Sequence, residues 1–282
     1  MMKISLRAPF LLYAWSLLSG CAGNSAISNM AASSAIELKE LRVMSYNIHH
    51  ANPPGRKDVI DMEAIVRVIR AEDPDLVALQ EVDVNTVRSG KVNQAETLAK
   101  MLGMHYFFAR AIDFGGGEYG VAILSRYPLS DTQLVPLPEA AAPEAEDRVM
   151  ATAKVTLPGN RYIRFGSTHL DVTKAANRQQ QVQAINTIAA SSELPFILAG
   201  DFNDLPGSLT VTELEKVFTR TCQQTCEPTF PQDEPDRTID FIAYTSASPL
   251  NVLSHKVVSE PYASDHLPIV ATLRFQVTGL AE

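Results

Sequence analysis

Cysteine is scarce in this chain, with Cys21, Cys222 and Cys226 the only three in 282 residues. No second cysteine or histidine cluster lies near the CQQTC segment, which argues against a thiolate metal site there. Basic residues are outnumbered, 24 against 32 acidic, giving a net charge of -8. A protein that grips long stretches of nucleic acid relies on a basic face, because phosphate neutralisation supplies most of the non-specific affinity. No such face is evident in the sequence. Aromatic residues make up 7%, and neither the run Gly115-Gly116-Gly117 nor the stretch Glu139 to Pro143 holds an aromatic-basic array for stacking bases. Both read instead as mobile rims of a cleft. There is no internal repeat and no second compositional regime.

A conspicuous apolar stretch, Ala8 to Leu18, is too short to span a bilayer and has the flanks of an export signal, with Lys3 and Arg7 ahead of it. Leu18-Ser19-Gly20-Cys21 then reads as a lipobox, the cleavage signal of bacterial lipoproteins. The expectation is a signal peptide over 1–20, lipidation of Cys21, and a flexible tether over 21–40, where residues are small and polar. Two or more acyl chains on Cys21 would anchor the protein stably to a membrane. Ala22 after the cysteine favours the outer membrane, facing the periplasm. Cleavage would remove two basic residues and no acid, making the mature balance more acidic still. In that oxidising compartment Cys222 and Cys226 could pair across a short irregular turn.

The remaining 41–282 suit one layered α/β domain. Met62, Ile65, Val66 and Ile69 fall at helical spacing, and Pro74 stops that helix before a strand at Leu76 to Leu79. Arg178, Val182, Ile185 and Ala189 mark a second helix ahead of Phe196 to Ala199. Further strands are expected at Leu41 to Ile48, Tyr106 to Ala111, Val121 to Ser125, Met150 to Leu157, Tyr162 to Ser167, Ile239 to Tyr244, Val252 to Val258 and Ile269 to Val277.

Six polar segments sit at or beside these apolar runs: SYNIHH, LQEV, STHLD, GDFND, RTIDFI and SDHLP. A sheet delivers the side chains at its strand ends into a shared cleft. Glu81, Asp201, Asn203 and Asp265 supply hard oxygen donors, and His49, His169 and His266 supply imidazoles. That mixture suits a hydrated divalent cation with acid-base groups beside it.

In this order, and over residues 41 to 275, the six segments resemble the endonuclease/exonuclease/phosphatase superfamily. The stretch from SYNIHH through LQEVD to RSG is similar to a bacterial branch of metal-dependent hydrolases. The resemblance implies a four-layer α/β/β/α sandwich of two packed mixed sheets flanked by helices. It implies hydrolysis of a phosphoester with one or two Mg²⁺ or Mn²⁺ ions. By this resemblance Asn47, Glu81 and Asp265 are metal ligands, and His49, standing where some nucleases carry an acid, would favour a softer ion such as Mn²⁺. Asp201 and Asn203 would position the attacking water and steady the phosphate. Asp240 would hold His266 protonated so that it stabilises the transition state.

His169 would face the phosphate, with Glu118 as its carboxylate partner and Asp171 supporting the loop. Arg148 resembles a phosphate-facing arginine, with a surface ion pair to Glu146 or Asp147 as its other reading. Arg178 is expected to pack or pair on its own helix, and Asp204 to cap the helix that follows. The acid excess points to a small or lipid-borne phosphoester and a monomeric catalytic domain. A secreted endo- or exonuclease and a noncatalytic surface-binding lipoprotein of the same fold are the alternatives.

Overall fold

The computed structural model describes residues 40–142 and 144–276; the expected signal peptide, Cys21 and all but the last tether residue lie outside them. Glu40, the last of the expected tether, already belongs to the first strand. The elements run β1 (Glu40–Asn47), α1 (Met62–Glu72), β2 (Leu76–Val84), α2 (Gln94–Leu102), β3 (His105–Phe114), β4 (Gly117–Ser125), β5 (Leu129–Leu137) and β6 (Arg148–Leu157). They continue with β7 (Arg161–His169), α3 (Ala175–Ala190), β8 (Phe196–Asp201), α4 (Leu209–Leu214), β9 (Phe218–Arg220), β10 (Asp240–Thr245), β11 (Leu250–Val257) and β12 (Ile269–Phe275). A short 3-10 turn at His49–Ala51 follows β1. Among the described residues no helix is long and apolar enough to cross a membrane.

Two six-stranded mixed sheets form, in the orders β11-β12-β1-β2-β4-β3 and β5-β6-β7-β8-β10-β9. Each has one parallel pair at its centre, β1 with β2 and β7 with β8, and antiparallel neighbours outside it. A parallel pair needs a crossover, which α1 and α3 provide. Apolar side chains on the facing surfaces, such as Leu41, Val43, Leu76, Ile163, Phe165 and Ile197, form one core between the sheets. The outer face of the first sheet packs on α1 and α2 through Met44, Tyr46, Ile65 and Leu98. The outer face of the second packs on α3 and α4 through Val182, Ile185, Phe196 and Val211. Three cores between four layers make the α/β/β/α sandwich that the sequence resemblance implied.

Strand periodicity explains where the polar groups go. Side chains two apart share a face, so β7 presents Ile163, Phe165, Ser167 and His169 to the other sheet, and β8 presents Ile197, Ala199 and Asp201. β1 does the same with Leu41, Val43, Ser45 and Asn47, and β2 with Leu76, Ala78 and Gln80. All four central strands therefore change from apolar to polar toward their C-terminal ends. There the sheets are tied by polar contacts: Gln80 Nε2 donates to Ser167 Oγ at 3.3 Å, and Ser167 Oγ to the Leu79 carbonyl at 3.1 Å.

Local signals fix the helix ends. Asp61 accepts from Ala64 N at 2.8 Å to start α1, which ends at Asp73 in left-handed backbone immediately before Pro74. α4 is capped by Ser208, which accepts from Val211 N at 3.2 Å. Asp204, expected in that role, instead pairs with Arg178 at 3.1 Å, and Arg178 thus reaches off its own helix. The expected cleft rim at Gly115 and Gly116 is the turn of the β3–β4 hairpin, where both have positive φ. Cys222 and Cys226 are joined in a disulfide within the irregular segment after β9.

Candidate active site

The register puts five positions side by side at one end of the sandwich. Asn47 pairs with Gln80 across the first parallel pair, His169 with Asp201 across the second, and Asp240 with Asp201 across the antiparallel neighbour. Glu81 follows Gln80 at an irregularity between Leu79 and Val82 and has a positive φ of 55°. A bulge of this kind re-aims a side chain, and here it turns the Glu81 carboxylate toward Asn47. Gly200, next to Asp201, has no substitute: a Cβ there would lie 2.1 Å from the Thr168 carbonyl oxygen of β7.

Asn47 joins the two sheets. Its Nδ2 donates to Glu81 Oε1 at 3.1 Å and to Asp201 Oδ2 at 3.2 Å, while its Oδ1 accepts from His49 N at 3.1 Å. The metal-ligand role expected for Asn47 would use its Oδ1, which here accepts from His49 N. Two anions facing one amide take its NH₂. Ser264 supports the arrangement, donating to the Asn47 carbonyl at 2.7 Å and accepting from His266 N at 3.3 Å.

Asp201 is the hub of the second half. Its Oδ2 lies 3.4 Å from His169 Nε2 and 3.6 Å from His266 Nε2, and its Oδ1 accepts from Asn203 N at 2.9 Å. His266 Nδ1 donates to Asp240 Oδ2 at 3.0 Å, and that same oxygen accepts from Thr229 Oγ1 at 2.6 Å. Burial, together with the neighbouring Asp240 charge, pushes the Asp201 carboxyl up to about 7. Burial alone would lower His266, but Asp240 and Asp201 outweigh it and raise the imidazole to about 10. His169 goes the other way, because burial and the Arg148 charge both disfavour its cation.

At Glu81 the balance is opposite to that at Asp201. Burial would raise its carboxyl, yet the adjacent His50 and the Asn47 amide hold it well below the usual carboxylate range. His50 Nδ1 stands 3.9 Å from Glu81 Oε2, too far for a hydrogen bond, so it acts through proximity. Ligand atoms of His49, His50 and Glu81 all lie within 4.8 Å of one another, as do those of Asp201, Asp240 and His266. An ionised carboxylate beside two imidazoles fits a divalent cation, so Glu81 and the two histidines are the residues that would hold one.

Other expected positions fall elsewhere. Asp265 belongs to neither cluster; its carboxylate accepts from Ser264 Oγ at 3.4 Å and lends negative charge to Tyr46 and His266. Glu118 does not accompany His169: it lies on a half-exposed β4 position, 3.9 Å from Arg110, while His169 Nδ1 has no hydrogen-bond partner among the described residues. The cause is register, since Glu118 pairs with Asp113 and Val84 at the hairpin end of its strand. Asn203 spends one amide hydrogen on the Leu170 carbonyl at 3.1 Å and adopts φ 50°, so its main-chain N–H rather than its side chain serves Asp201.

Asp171 lies just past β7 and accepts from Thr173 N, Lys174 N and Asn177 Nδ2 at 2.7 to 2.9 Å, organising the start of α3. Arg148 is buried next to His169 and Tyr119; its Nη1 pairs with Glu146 at 3.0 Å, and its Nε has no partner among the described residues. The ion pair with Glu146 is thus present, formed by a buried guanidinium rather than at the surface.

Sequence reasoning assigned no role to His50, Gln80, Thr229 or Ser264. His50 was visible as the neighbour of His49. Thr229 gave no local signal, because it precedes Asp240 by 11 residues in an irregular loop.

Known proteins resemble this chain in sequence or in fold. YbhP of Escherichia coli (strain K12) is 24% identical over 249 residues, covering 82% of this chain and 95% of YbhP. An endonuclease/exonuclease/phosphatase from Beutenbergia cavernae DSM 12333 superposes with a TM-score of 0.69 at 27% identity, covering 86% of this chain and 74% of that one. The mannosyl-6-phosphatase Bt3783 of Bacteroides thetaiotaomicron VPI-5482 has the same fold, with a TM-score of 0.68 at 19% identity over 83% of this chain and all 100% of its own. Residues 44–266, which contain both side-chain clusters, match the family model as well, and the chain belongs to the Endonuclease/Exonuclease/phosphatase family.

Proposed function

We propose that this protein is a divalent-metal-dependent hydrolase of a small or lipid-borne phosphoester, acting by in-line attack of water on phosphorus. Family membership supports the phosphoester hydrolase reading. The observation that supports the finer reading is Asp201, buried between two imidazoles at 3.4 and 3.6 Å and linked through Asn47 to Glu81.

With its carboxyl raised to about 7, Asp201 exchanges a proton near neutral pH and serves as the base that takes one from water. His266, held cationic by Asp240, offers its Nε2 proton to the charge that develops on the phosphoryl oxygens. His169 stays neutral, and its Nε2 fixes the carboxylate orientation of Asp201. The Asn203 N–H secures the other Asp201 oxygen, and Arg148 adds a positive charge beside His169. A cation held at Glu81 and the adjoining histidines would neutralise phosphoryl charge and assist the leaving oxygen. No covalent phosphoenzyme is required.

The test is hydrolysis of bis-p-nitrophenyl phosphate and of a panel of sugar, lipid and nucleotide phosphoesters with Mg²⁺ or Mn²⁺. Turnover that EDTA abolishes and that Asp201→Ala and His266→Ala remove is the expected result. Unchanged activity in either variant rejects the assignment. Plasmid nicking exceeding turnover of the small esters would favour the nuclease reading, and no turnover of any kind the binding-lipoprotein one. The acid excess supports the small ester.

We further propose that the protein is a monomer exported under its 1–20 signal, lipidated on Cys21 and tethered to the outer membrane facing the periplasm. Loss of palmitate labelling and of membrane fractionation in Cys21→Ser is the expected outcome. Labelling that persists would reject it.

A further inference from the structure

Beside Glu81 the chain passes through three consecutive non-glycine residues in left-handed backbone, His49 at φ 45°, His50 at 44° and Ala51 at 60°, and Glu81 itself is at 55°. L residues populate this region sparsely, and a run of three persists only where the surroundings over-determine it. They do so here. Ala51 N donates to the Ile48 carbonyl at 2.7 Å, Asn52 N to that of His49 at 2.8 Å, and Asp61 N to that of Ala51 at 2.8 Å. The buried Gln94 donates to the His50 carbonyl at 2.6 Å and accepts from Asp83 N at 2.9 Å, tying the turn to β2 just beyond Glu81.

The turn sets two imidazoles against one carboxylate. The rings of His49 and His50 meet edge to face with centroids 4.5 Å apart, and donor atoms of both lie within 4.8 Å of a Glu81 oxygen. His49 Nδ1 donates to the Asn52 carbonyl at 2.8 Å, which fixes its tautomer and leaves the Nε2 lone pair free. His50 Nδ1 is a buried atom with no hydrogen-bond partner among the described residues, 3.9 Å from Glu81 Oε2. That spacing is too long for a hydrogen bond and leaves room between the two atoms. Glu81 Oε1 is already engaged by Asn47, so Oε2 is the oxygen that faces this room.

We propose that His49, His50 and Glu81 form a two-imidazole, one-carboxylate cation site, so that this protein selects a first-row transition ion, Mn²⁺ included, over Mg²⁺. Mg²⁺ prefers oxygen donors and retains its water, whereas nitrogen donors strengthen binding along the first-row series. The inference rests on the hydrolase reading only for placing a cation at Glu81. Strain in the turn then has a use, since a relaxed chain would carry the two rings apart.

The experiment takes the full-length protein, stripped with EDTA, and titrates it with Mn²⁺ alone and in competition with Mg²⁺, following electron spin echo modulation from imidazole nitrogen. Coupling from two imidazoles is expected in the wild type, with Mg²⁺ a poor competitor. His50→Ala should lose one coupling and weaken Mn²⁺ binding by at least about tenfold, and His49→Asp should lose the other and improve competition by Mg²⁺. Wild-type Mn²⁺ without nitrogen coupling overturns the proposal whatever the variants do, and so does an unaltered spectrum in a folded His50→Ala. The readout requires no turnover: a nitrogen-coordinated ion in an inactive protein would reject the hydrolase reading alone, and Mg²⁺-supported turnover without nitrogen coupling would reject this inference alone.

Discussion

In the first sheet β1 and β2 run parallel through α1 and lead to Asn47 and Glu81; in the second β7 and β8 run parallel through α3 and lead to His169 and Asp201. Both units set a carboxylate at the end of the second strand, and burial pushes both carboxyls up. Their neighbours reverse one outcome. Glu81 stands among imidazoles and an amide and stays ionised, whereas Asp201 stands beside Asp240 and rises to about 7. One strand plan thus yields an anion suited to holding a cation and a carboxyl suited to moving a proton. The difference lies in what the third strand contributes: β10 supplies a second carboxylate in direct register with Asp201, while β4, past the bulge, supplies glycine and tyrosine opposite Val82 and Asp83.

Exchanging charge in the second unit is the largest way to break this comparison. Asp201→Asn is expected to lower kcat by roughly 10²–10⁴-fold with the fold intact, as checked by steady-state kinetics beside a thermal melt. Glu81→Gln should instead abolish the response to added cation while leaving the Asp201 titration in place, measurable by metal-dependent activity and direct titration. If the two variants behave alike in both assays, the division of labour is wrong.

The pH profile sharpens it further. Activity needs Asp201 ionised, so it should rise through about 7, and His266 protonated, so it should fall through about 10. These limbs belong to the coupled pair rather than to either residue alone. Burial would still raise Asp201, but removing the Asp240 charge takes away a contribution that raises both groups, so Asp240→Asn should move both limbs to lower pH. A kcat profile with fixed limbs would contradict the Asp240 assignment.

Stability should respond more to the shared core than to either site. Phe165→Ala, which empties a fully buried position between the sheets, is expected to cost about 3–5 kcal/mol in denaturant unfolding. Asp171→Ala, which releases the start of α3, should cost about 1–2 kcal/mol. The exposed pair Arg274 to Glu40 at 2.7 Å should contribute less than about 1 kcal/mol, and Arg274→Ala should barely move the melting temperature.

The elements that were legible are those whose apolar period is strong. β2 and β8 begin as continuous apolar runs buried on both faces, β1 and β7 carry apolar residues on the inner face, and α1 has a clean stripe with Pro74 behind it. β5 was not foreseen, because its exposed residues and Pro136 carry little pattern and only pairing with β6 makes it a strand. α2 was overlooked although Asn93 caps it and accepts from Glu96 N at 3.0 Å, a start signal present in the sequence. β9, three residues long, has no periodicity to read.

What the sequence determined by itself is the set of strands that end in polar groups, since alternation along a strand is a local property and places Asn47, His169 and Asp201 on the inner face. Tertiary structure alone decided which of those groups touch. Bulge and register brought Glu81 to Asn47 and His50 and left Glu118 at the hairpin end. Contact across two sheets depends on non-local pairing, to which side-chain order along the chain gives no direct measure. The charge states followed from those contacts: burial pushes both carboxyls up, yet one stays ionised and the other rises, according to the side chains that packing has placed beside each.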